Sequence, residues 1–160
     1  MSVPTQGNAA PITTPRATLA DLDALSKLFD AYRVFYRQAS DLTEARTFLQ
    51  QRLQHDESVI FIACAAATAE AIGFTQLYPS FSSVSARRIW ILNDLFVAPQ
   101  ARQRGVAHAL MARARAFAIE TGGLRLVLET AEDNAPAQAL YVSLGYVHET
   151  GTRHYALELS

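Results

Sequence analysis

The apolar and polar residues of this chain alternate with the periods of helices and strands in turn. Leu22, Leu25, Leu28, Phe29 and Tyr32 recur every three or four positions, which is the spacing of a helix with one buried face. Runs rich in β-branched and aromatic residues indicate strands. The predicted strands cover 15–18, 58–66, 71–78, 88–97, 124–130, 146–149 and 153–159. The predicted helices follow Thr18, start near Asp41, and cover 104–120 and 134–144.

Capping and breaking residues place the ends of these elements. Thr18 can cap the first helix with Asp21 in its first turn, and Asp41 can cap the second with Glu44. Pro99 ends the strand 88–97 because proline has no N–H to give to a ladder. Turns and loops are expected at 68–70, 79–83, 121–123 and 150–151.

The succession of elements, βαα-βββ-α-β-α-ββ, predicts a mixed α/β fold of packed layers. Residues 1–14 have little to bury and are expected to be a flexible tail, so that residues 15–160 form one domain. The composition agrees, because 160 residues, of which 50% are hydrophobic and 18% charged, are typical of a globular domain with a substantial core.

Charge and cysteine content limit the partners and the compartment. The formal net charge is −1, so neither nucleic acid nor a membrane surface is an expected partner. The single cysteine, Cys64, cannot form an internal disulfide, which fits a reducing, cytoplasmic location. The start of the chain lacks the basic and apolar segments of a signal peptide, and the longest apolar run, 59–67, is too short to span a bilayer.

The most informative stretch runs from the strand 88–97 into the helix 104–120. A basic turn with Arg102, Arg104 and Gly105 joins them. The first N–H groups of a helix have no partner within it, and the helix dipole adds a positive partial charge there. A phosphate or pyrophosphate could bind at this point, since a glycine keeps side chains out of the way. The same residues could also form only a solvated turn.

The spacing of this turn excludes two common phosphate loops. It has neither the Gly-Lys-Ser/Thr of a P-loop nor the three glycines of a dinucleotide fingerprint. It matches the pattern Arg/Gln-x-x-Gly-x-Gly/Ala, with Arg102, Gly105 and Ala107 at the fixed positions. This pattern resembles the coenzyme A pyrophosphate loop of the GNAT superfamily of N-acetyltransferases.

A second, longer motif follows further along the chain. Residues 134–146 match the Asn-x-x-Ala-x-x-Leu-Tyr-x-x-x-Gly-Phe/Tyr segment of the same superfamily at every key position, among them Asn134, Ala137 and Tyr141. The resemblance therefore covers residues 15–159. It implies the acyl-CoA N-acyltransferase fold, an α+β arrangement with a mixed, mostly antiparallel central sheet flanked by helices. The cofactor arm enters between two splayed strands of such a sheet.

The resemblance implies an acyltransferase that moves an acetyl group from acetyl-CoA to a primary amine by direct attack in a ternary complex. Backbone groups of the strand 88–97, the basic turn and the second motif would hold the cofactor. The residues implied for this contact are Leu95, Phe96, Val97, Arg102, Gln103, Arg104, Gly105, Val106, Ala107, His108, Asn134 and Ala137. Asn134 could equally serve only as a helix cap.

Tyr141 is the residue that the resemblance implies as general acid. A tyrosine of pKa ~10 is a neutral proton donor at pH 7, and a thiolate leaving group has a pKa of about 8.5 by analogy with cysteine. The proton transfer is then close to balanced, although Tyr141 could also merely pack on the sheet. The acceptor amine must lose a proton, for which Asp94 is the first candidate and Glu129 the second. Either carboxylate could instead be a structural hydrogen-bond acceptor.

Tyr32, Tyr36, Tyr78 and Asn93 occupy places where this superfamily shapes the acceptor pocket, and aromatic residues at helical spacing are also typical of a core. The segment 93–97 is similar to the Glu-Asp-Leu-Tyr-Val of diamine acetyltransferases. Asn93 replaces the leading acid, which argues against a polyamine substrate. Small-molecule amines and peptide or protein amines all remain open as acceptors.

Two other classes of function remain open from the sequence. One is a non-catalytic acyl-CoA-binding regulatory module, and the other is a plain interaction domain. The resemblance also implies that two copies could associate as a homodimer. The histidines show no ligand spacing, so no metal site is expected. They are His55, His108, His148 and His154.

Overall fold

The computed structural model describes residues 10–159, which form two units divided between Leu128 and Glu129. The strands of the first unit are β1 (Ile12–Thr13), β2 (Val59–Ala65), β3 (Ala71–Ser82), β4 (Arg87–Val97) and β5 (Leu126–Val127). Its helices are α1 (Leu22–Phe35), α2 (Leu42–Gln54) and α3 (Val106–Glu120), with short 3₁₀ turns at Leu19–Asp21 and Pro99–Ala101. The second unit contains α4 (Ala135–Ser143).

The five strands pair in their sequence order, β1-β2-β3-β4-β5. All neighbours are antiparallel except β4 and β5, which are parallel because α3 carries the chain back before β5 begins. The expected mixed, mostly antiparallel sheet flanked by helices is therefore confirmed.

Side chains that alternate along the strands give the sheet two packed faces. Ile60, Phe74 and Phe96 lie in one buried cluster with apolar residues of α1 and α2. Phe61 follows Ile60 and faces the other way, where its ring centroid lies 5.5 Å from that of Phe117 in α3. The sheet thus holds α1 and α2 on one face and α3 on the other.

The predicted caps of the first two helices are confirmed. The Thr18 N–H donates to Asp21 Oδ2 at 2.8 Å, and the two residues form a capping box at the turn that leads into α1. The Glu44 N–H donates to Asp41 Oδ1 at 2.8 Å at the start of α2. Short-range hydrogen bonds fix both helix starts, which is why the sequence locates them well.

Gly73 determines how closely α3 approaches the sheet. A Cβ atom at this position would lie 2.7 Å from the Phe96 carbonyl oxygen, 3.2 Å from Val106 Cγ1 and 3.4 Å from Leu110 Cδ1. The missing side chain therefore lets the first turn of α3 pack directly on β3.

We expect Gly73→Ala to lower the free energy of unfolding by about 1–3 kcal/mol, because overpacking a filled site forces the backbone to shift. Denaturant unfolding followed by circular dichroism measures the effect. Gly151→Ala is the control, since a Cβ there meets nothing within 4 Å. Equal unfolding free energies of Gly73→Ala and the wild type would contradict the close packing of α3.

The first strand lies earlier than predicted. Ile12 and Thr13 pair with Ala65 and Cys64, so these residues of the expected tail belong to the sheet, while residues 1–9 lie outside the described part. The predicted strand 15–18 is confirmed only in part, as an isolated antiparallel bridge between Arg16 and Phe61. The Pro15 carbonyl accepts from the Ile62 N–H at 3.0 Å, and the Ala17 N–H donates to the Ile60 carbonyl at 2.8 Å. Pro15 has no N–H to give and interrupts the ladder, which splits this segment.

The loop expected at 79–83 instead extends β3 as far as Ser82. Pro79 pairs with Trp90 of β4, whereas the pairing with β2 ends at Leu77 and Val59. Beyond Leu77 this stretch of β3 therefore has β4 as its neighbour and lies at an edge of the sheet, where a proline is tolerated. A sequence pattern alone does not reveal that edge.

The second unit contains the predicted helix but not the predicted closing strands. The Ala137 N–H donates to Asn134 Oδ1 at 3.4 Å to cap α4, and Gly145 adopts φ 88° after its end. No strand is assigned at 146–149 or 153–159 in the described residues of this unit, so both predictions are wrong there. Alternating side chains favour a strand, but only a hydrogen-bonded ladder forms one. No helix within residues 10–159 is long and apolar enough to cross a membrane.

Candidate functional site

The turn between β4 and α3 has a strained backbone that ends in a helix start. Gln103 and Gly105 both have positive φ, 60° and 79°. Gly105 is the N-cap residue of α3, and a Cβ added to it would meet no atom within 4 Å. The glycine therefore provides the left-handed conformation and leaves open space beside the helix start.

A run of backbone amides at this turn has no hydrogen-bond partner within the described part of the chain. The Arg102 N–H donates to the Pro99 carbonyl, and the next main-chain donor with a partner is Ala109, whose N–H reaches the Gly105 carbonyl at 3.0 Å. The N–H groups from Gln103 to His108 lie between these two bonds. Successive free amides at a helix start form a site for an anion.

Two arginines of the turn differ in their surroundings. Arg102 Nε donates to the Val97 carbonyl at 3.2 Å, and its guanidinium lies 5.7 Å from the centroid of the Phe35 ring. Arg102 therefore joins the end of β4 to the end of α1. Arg104 is exposed and adds a positive charge next to the free amides.

One edge of β4 is open before it reaches this turn. Pairing with β5 ends at Ile91 and Val127, whereas β4 continues to Val97. On that side, the main-chain polar groups of residues 92–97 have no strand partner within the described residues of the first unit. Leu95, Phe96 and Val97 lie in this segment, and an extended ligand can pair with such an edge.

A buried polar cluster lies where β4 bulges. Gln76 pairs with Asp94 and Leu77 with Leu92, so Asn93 is an extra residue in β4. Asp94 is only 3% exposed. Its carboxylate accepts from Gln76 Nε2 at 2.5 Å and from Asn93 Nδ2 at 3.1 Å.

Tyrosines from two elements surround this carboxylate. Burial, the negative charge of Asp94 and a hydrogen bond to it raise the pKa of Tyr32 well above its usual value. Burial and the charge of Asp94 raise the pKa of Tyr78 to about 12, against an opposing effect of Arg52. The Tyr36 ring centroid lies 5.0 Å from that of Tyr32. The first unit thus brings Tyr32, Tyr78 and Asn93 to Asp94, and Tyr36 lies beside Tyr32.

Gln76 also belongs to this cluster, although it is not among the site residues predicted from the sequence. The residue is fully buried, and its Oε1 has no hydrogen-bond partner, although Nε2 donates to Asp94. The sequence does hold an indication of this role. A glutamine inside the apolar strand 71–78 would be buried, and a buried polar side chain needs a hydrogen-bond partner.

The other predicted site residues belong to the second unit. Tyr141 lies in α4, and its ring centroid is 5.9 Å from that of Tyr146. Asn134 and Ala137 form the helix cap described above. Glu129 was expected at the end of a strand, but β5 ends earlier, at Val127. The Glu129 side chain is 81% exposed, and its Oε1 lies 3.5 Å from His154 Nδ1.

Metal-binding side chains are not grouped in the part of the chain that the structure describes. Within residues 10–159, no set of three or more His, Cys, Asp or Glu side chains is arranged to hold an ion. The geometry instead offers free amides at the start of α3, an open strand edge and a buried carboxylate.

Known proteins resemble this chain over nearly its whole length. The sequence profile of the acetyltransferase (GNAT) family matches residues 22–146. An uncharacterized N-acetyltransferase of Bacillus subtilis, YhfO, is 49% identical over 144 residues, which are 90% of this chain and 95% of that protein. A probable acetyltransferase of Haemophilus influenzae is 35% identical over 140 residues, which are 88% of this chain and 93% of that protein.

A solved structure agrees with these sequence matches. The crystal structure of a probable acetyltransferase, 43% identical, superposes with a TM-score of 0.87 over 94% of this chain and 98% of that one. The matched region contains both the turn before α3 and the motif around α4. The chain belongs to the acetyltransferase (GNAT) family.

Proposed function

We propose that this chain is an N-acetyltransferase that moves an acetyl group from acetyl-CoA to a primary amine by direct attack in a ternary complex. The observation that carries the proposal is the run of backbone N–H groups from Gln103 to His108 without acceptors in the described part of the chain. In a member of this family, such a run fits the pyrophosphate of coenzyme A. Bound acetyl-CoA supplies an acetyl group that is already activated as a thioester.

The donors of the turn suit a doubly charged phosphate linkage. They stand at the start of α3, a helix of 15 residues whose N-terminal end carries a positive partial charge. Arg104 adds a full charge, while Arg102 shapes the turn from the side of β4. The groups that we assign to the pyrophosphate are the amides of Gln103, Arg104, Gly105, Val106, Ala107 and His108.

The open edge of β4 is the partner that we assign to the pantetheine arm of the cofactor. The amides of the pantetheine arm can pair with the main chain of Leu95, Phe96 and Val97 as a further strand would. Asn134 and Ala137, at the start of α4, complete the proposed cofactor contacts.

Tyr141 is the proposed general acid. A tyrosine with the reference pKa of ~10 is a neutral proton donor at pH 7, and in this proposal the phenol gives its proton to the thiolate that leaves when the carbon–sulfur bond breaks. The support for this role is the match of residues 134–146 to the family motif. The ring of Tyr141 remains packed beside Tyr146 whether or not the hydroxyl reacts.

Asp94 is the proposed proton acceptor for the attacking amine, directly or through water. Its burial and its fixed hydrogen bonds favour this role over that of Glu129, which is largely exposed. Tyr32, Tyr36, Tyr78 and Asn93 are the proposed walls of the acceptor site. Acceptors in this proposal include small-molecule amines and the amines of peptides or proteins.

Two measurements together test the proposed activity. Thermal shift with acetyl-CoA reports binding, and a free-thiol assay reports turnover over a panel of aliphatic amines, amine-containing antibiotics, and peptides with a free N-terminus or lysine. Binding with thiol release on at least one amine supports the enzyme. Binding without release on any amine favours a non-catalytic acyl-CoA-binding module, and no binding favours an interaction domain.

Gly105→Leu is expected to raise the dissociation constant of coenzyme A at least about tenfold, because the leucine side chain would cover the free amides. A tenfold change corresponds to about 1.4 kcal/mol of binding free energy. Isothermal titration calorimetry measures the dissociation constant. Gly122→Leu is a matched control, since Gly122 follows the same helix with φ 70° and equally open space. Both variants carry similar backbone strain, so an equal loss of affinity in both would place the anion elsewhere.

A further inference from the structure

The buried carboxylate of Asp94 has no positive partner. It is 3% exposed, and no Lys, Arg or His in the described part of the chain forms an ion pair with it. A buried charge needs hydrogen-bond donors in place of its lost water. Those donors are Gln76 Nε2, Asn93 Nδ2 and the Tyr32 hydroxyl.

Gln76 is the most firmly fixed of these three donors. It is fully buried and lies directly opposite Asp94 in the ladder of β3 and β4, whereas Asn93 is exposed at the bulge. The Gln76 Nε2 to Asp94 Oδ2 distance is 2.5 Å. The bulge begins immediately beyond this pair, so their side-chain bond ties the two strands together where the register changes.

The orientation in which the Gln76 amide donates to the carboxylate lowers the stability of the folded protein. Only its NH₂ group can donate to a carboxylate, which fixes the orientation of the amide. Its Oε1 is then buried without a hydrogen-bond donor, and such an oxygen destabilises a folded protein. An apolar side chain of similar length would avoid this, so packing alone does not explain a glutamine here.

We propose that Gln76 is a positioning residue, which holds the Asp94 carboxylate charged and in one orientation to receive the proton of the acceptor amine. The inference rests on the proposed function, in which the amine nitrogen bonds to the acetyl carbon and its proton passes to Asp94. The carbon–sulfur bond breaks, and the thiolate takes a proton from Tyr141. Gln76 acts through Asp94 throughout.

The titratable side chains nearest to the Asp94 carboxylate come from α1, α2 and β3. Tyr32 from α1 and Tyr78 from β3 face the carboxylate, and both have a raised pKa, which for Tyr78 is about 12. Tyr36 lies next to Tyr32, and the charge of Arg52 in α2 lowers the pKa of Tyr78.

Gln76→Met tests the proposal, because methionine keeps the length and removes the donor. We expect kcat to fall about tenfold. The acid limb of kcat/KM should move to higher pH, since the charged carboxylate loses a hydrogen-bond donor. The dissociation constant of acetyl-CoA should not change.

Thr75→Val is the matched control in the same strand. It removes the 2.8 Å bond from Thr75 Oγ1 to the Asp94 carbonyl and leaves the carboxylate untouched, so we expect its acid limb to match the wild type. Gln76→Glu is a second variant, which keeps the volume of the site and replaces the donor amide with a carboxylate. Its added carboxylate should also move the acid limb upward, because like charges disfavour each other.

The possible outcomes separate this proposal from the proposed function. If Gln76→Met keeps the wild-type kcat and the wild-type acid limb of kcat/KM, the positioning role is overturned. If Gln76→Met does not fold, the pH profile of kcat/KM for Gln76→Glu decides instead. If the wild type releases no coenzyme A with any amine, the proposed function fails, and crystal structures of the variants decide. A carboxylate that keeps its orientation overturns the positioning role, and one that turns away supports it.

Discussion

Replacing Tyr141 with phenylalanine is expected to lower kcat by about 10²-fold or more, because the change removes the hydroxyl that we propose as the proton donor to the leaving thiolate. The ring that packs 5.9 Å from the Tyr146 ring stays in place, so α4 should fold as before. Acetyl-CoA should bind with little change, since the proposed contacts with its pyrophosphate and pantetheine arm do not involve the phenol. Steady-state kinetics and isothermal titration calorimetry measure the two quantities separately.

Tyr146→Phe provides the matched control for this variant. It removes a hydroxyl from the neighbouring ring, at a position where the family motif accepts either phenylalanine or tyrosine. We expect it to retain most of the wild-type turnover. Unchanged turnover in Tyr141→Phe would remove Tyr141 from the role of acid, and an equal loss in both variants would point to packing instead.

Asp94→Asn is expected to lower kcat by about 10²-fold or more with an ordinary aliphatic amine, because the side chain loses its ability to accept a proton. An amine of pKa near ~10 is mostly protonated at pH 7 and depends on that step. A weakly basic amine is already neutral, so we expect the variant to recover much of its relative activity with such an acceptor. The ratio of variant to wild-type kcat across acceptors of different basicity is the measurement.

Glu129→Gln, assayed in parallel, decides between the two candidate carboxylates. The proton acceptor is the residue whose replacement lowers kcat more and whose effect on kcat grows with the basicity of the acceptor amine. Full activity of Asp94→Asn with strongly basic amines would show that the cluster of Tyr32, Gln76 and Asn93 around Asp94 serves only the fold.

The sequence locates those parts of the site that short-range chemistry determines. Pro99 ends β4, Gly105 adopts the left-handed conformation, and α3 begins at Val106, close to the predicted position. Asn134 caps α4 through a bond to a residue three positions away. Each of these features depends on neighbours along the chain, so the residue types alone indicate it.

Features that depend on partners distant in sequence were missed or misplaced. β3 continues through Pro79 because β4 pairs with it and β2 has already ended. The role of Gln76 depends on Asp94, 18 positions along the chain and reached through the strand register. Residues 12–13 join the sheet because β2 offers them an edge. Residue types do not encode register directly, which explains these differences.

Amide chemical shifts can show whether coenzyme A binds at the start of α3. Titrating ¹⁵N-labelled protein with coenzyme A should shift the amide resonances of residues 103–108, because their N–H groups gain a phosphate acceptor. Pantetheine, which lacks the pyrophosphate, should leave these resonances nearly unchanged while it shifts those of residues 95–97. If coenzyme A leaves the resonances of residues 103–108 unchanged, or if pantetheine shifts them equally, these amides do not bind the pyrophosphate.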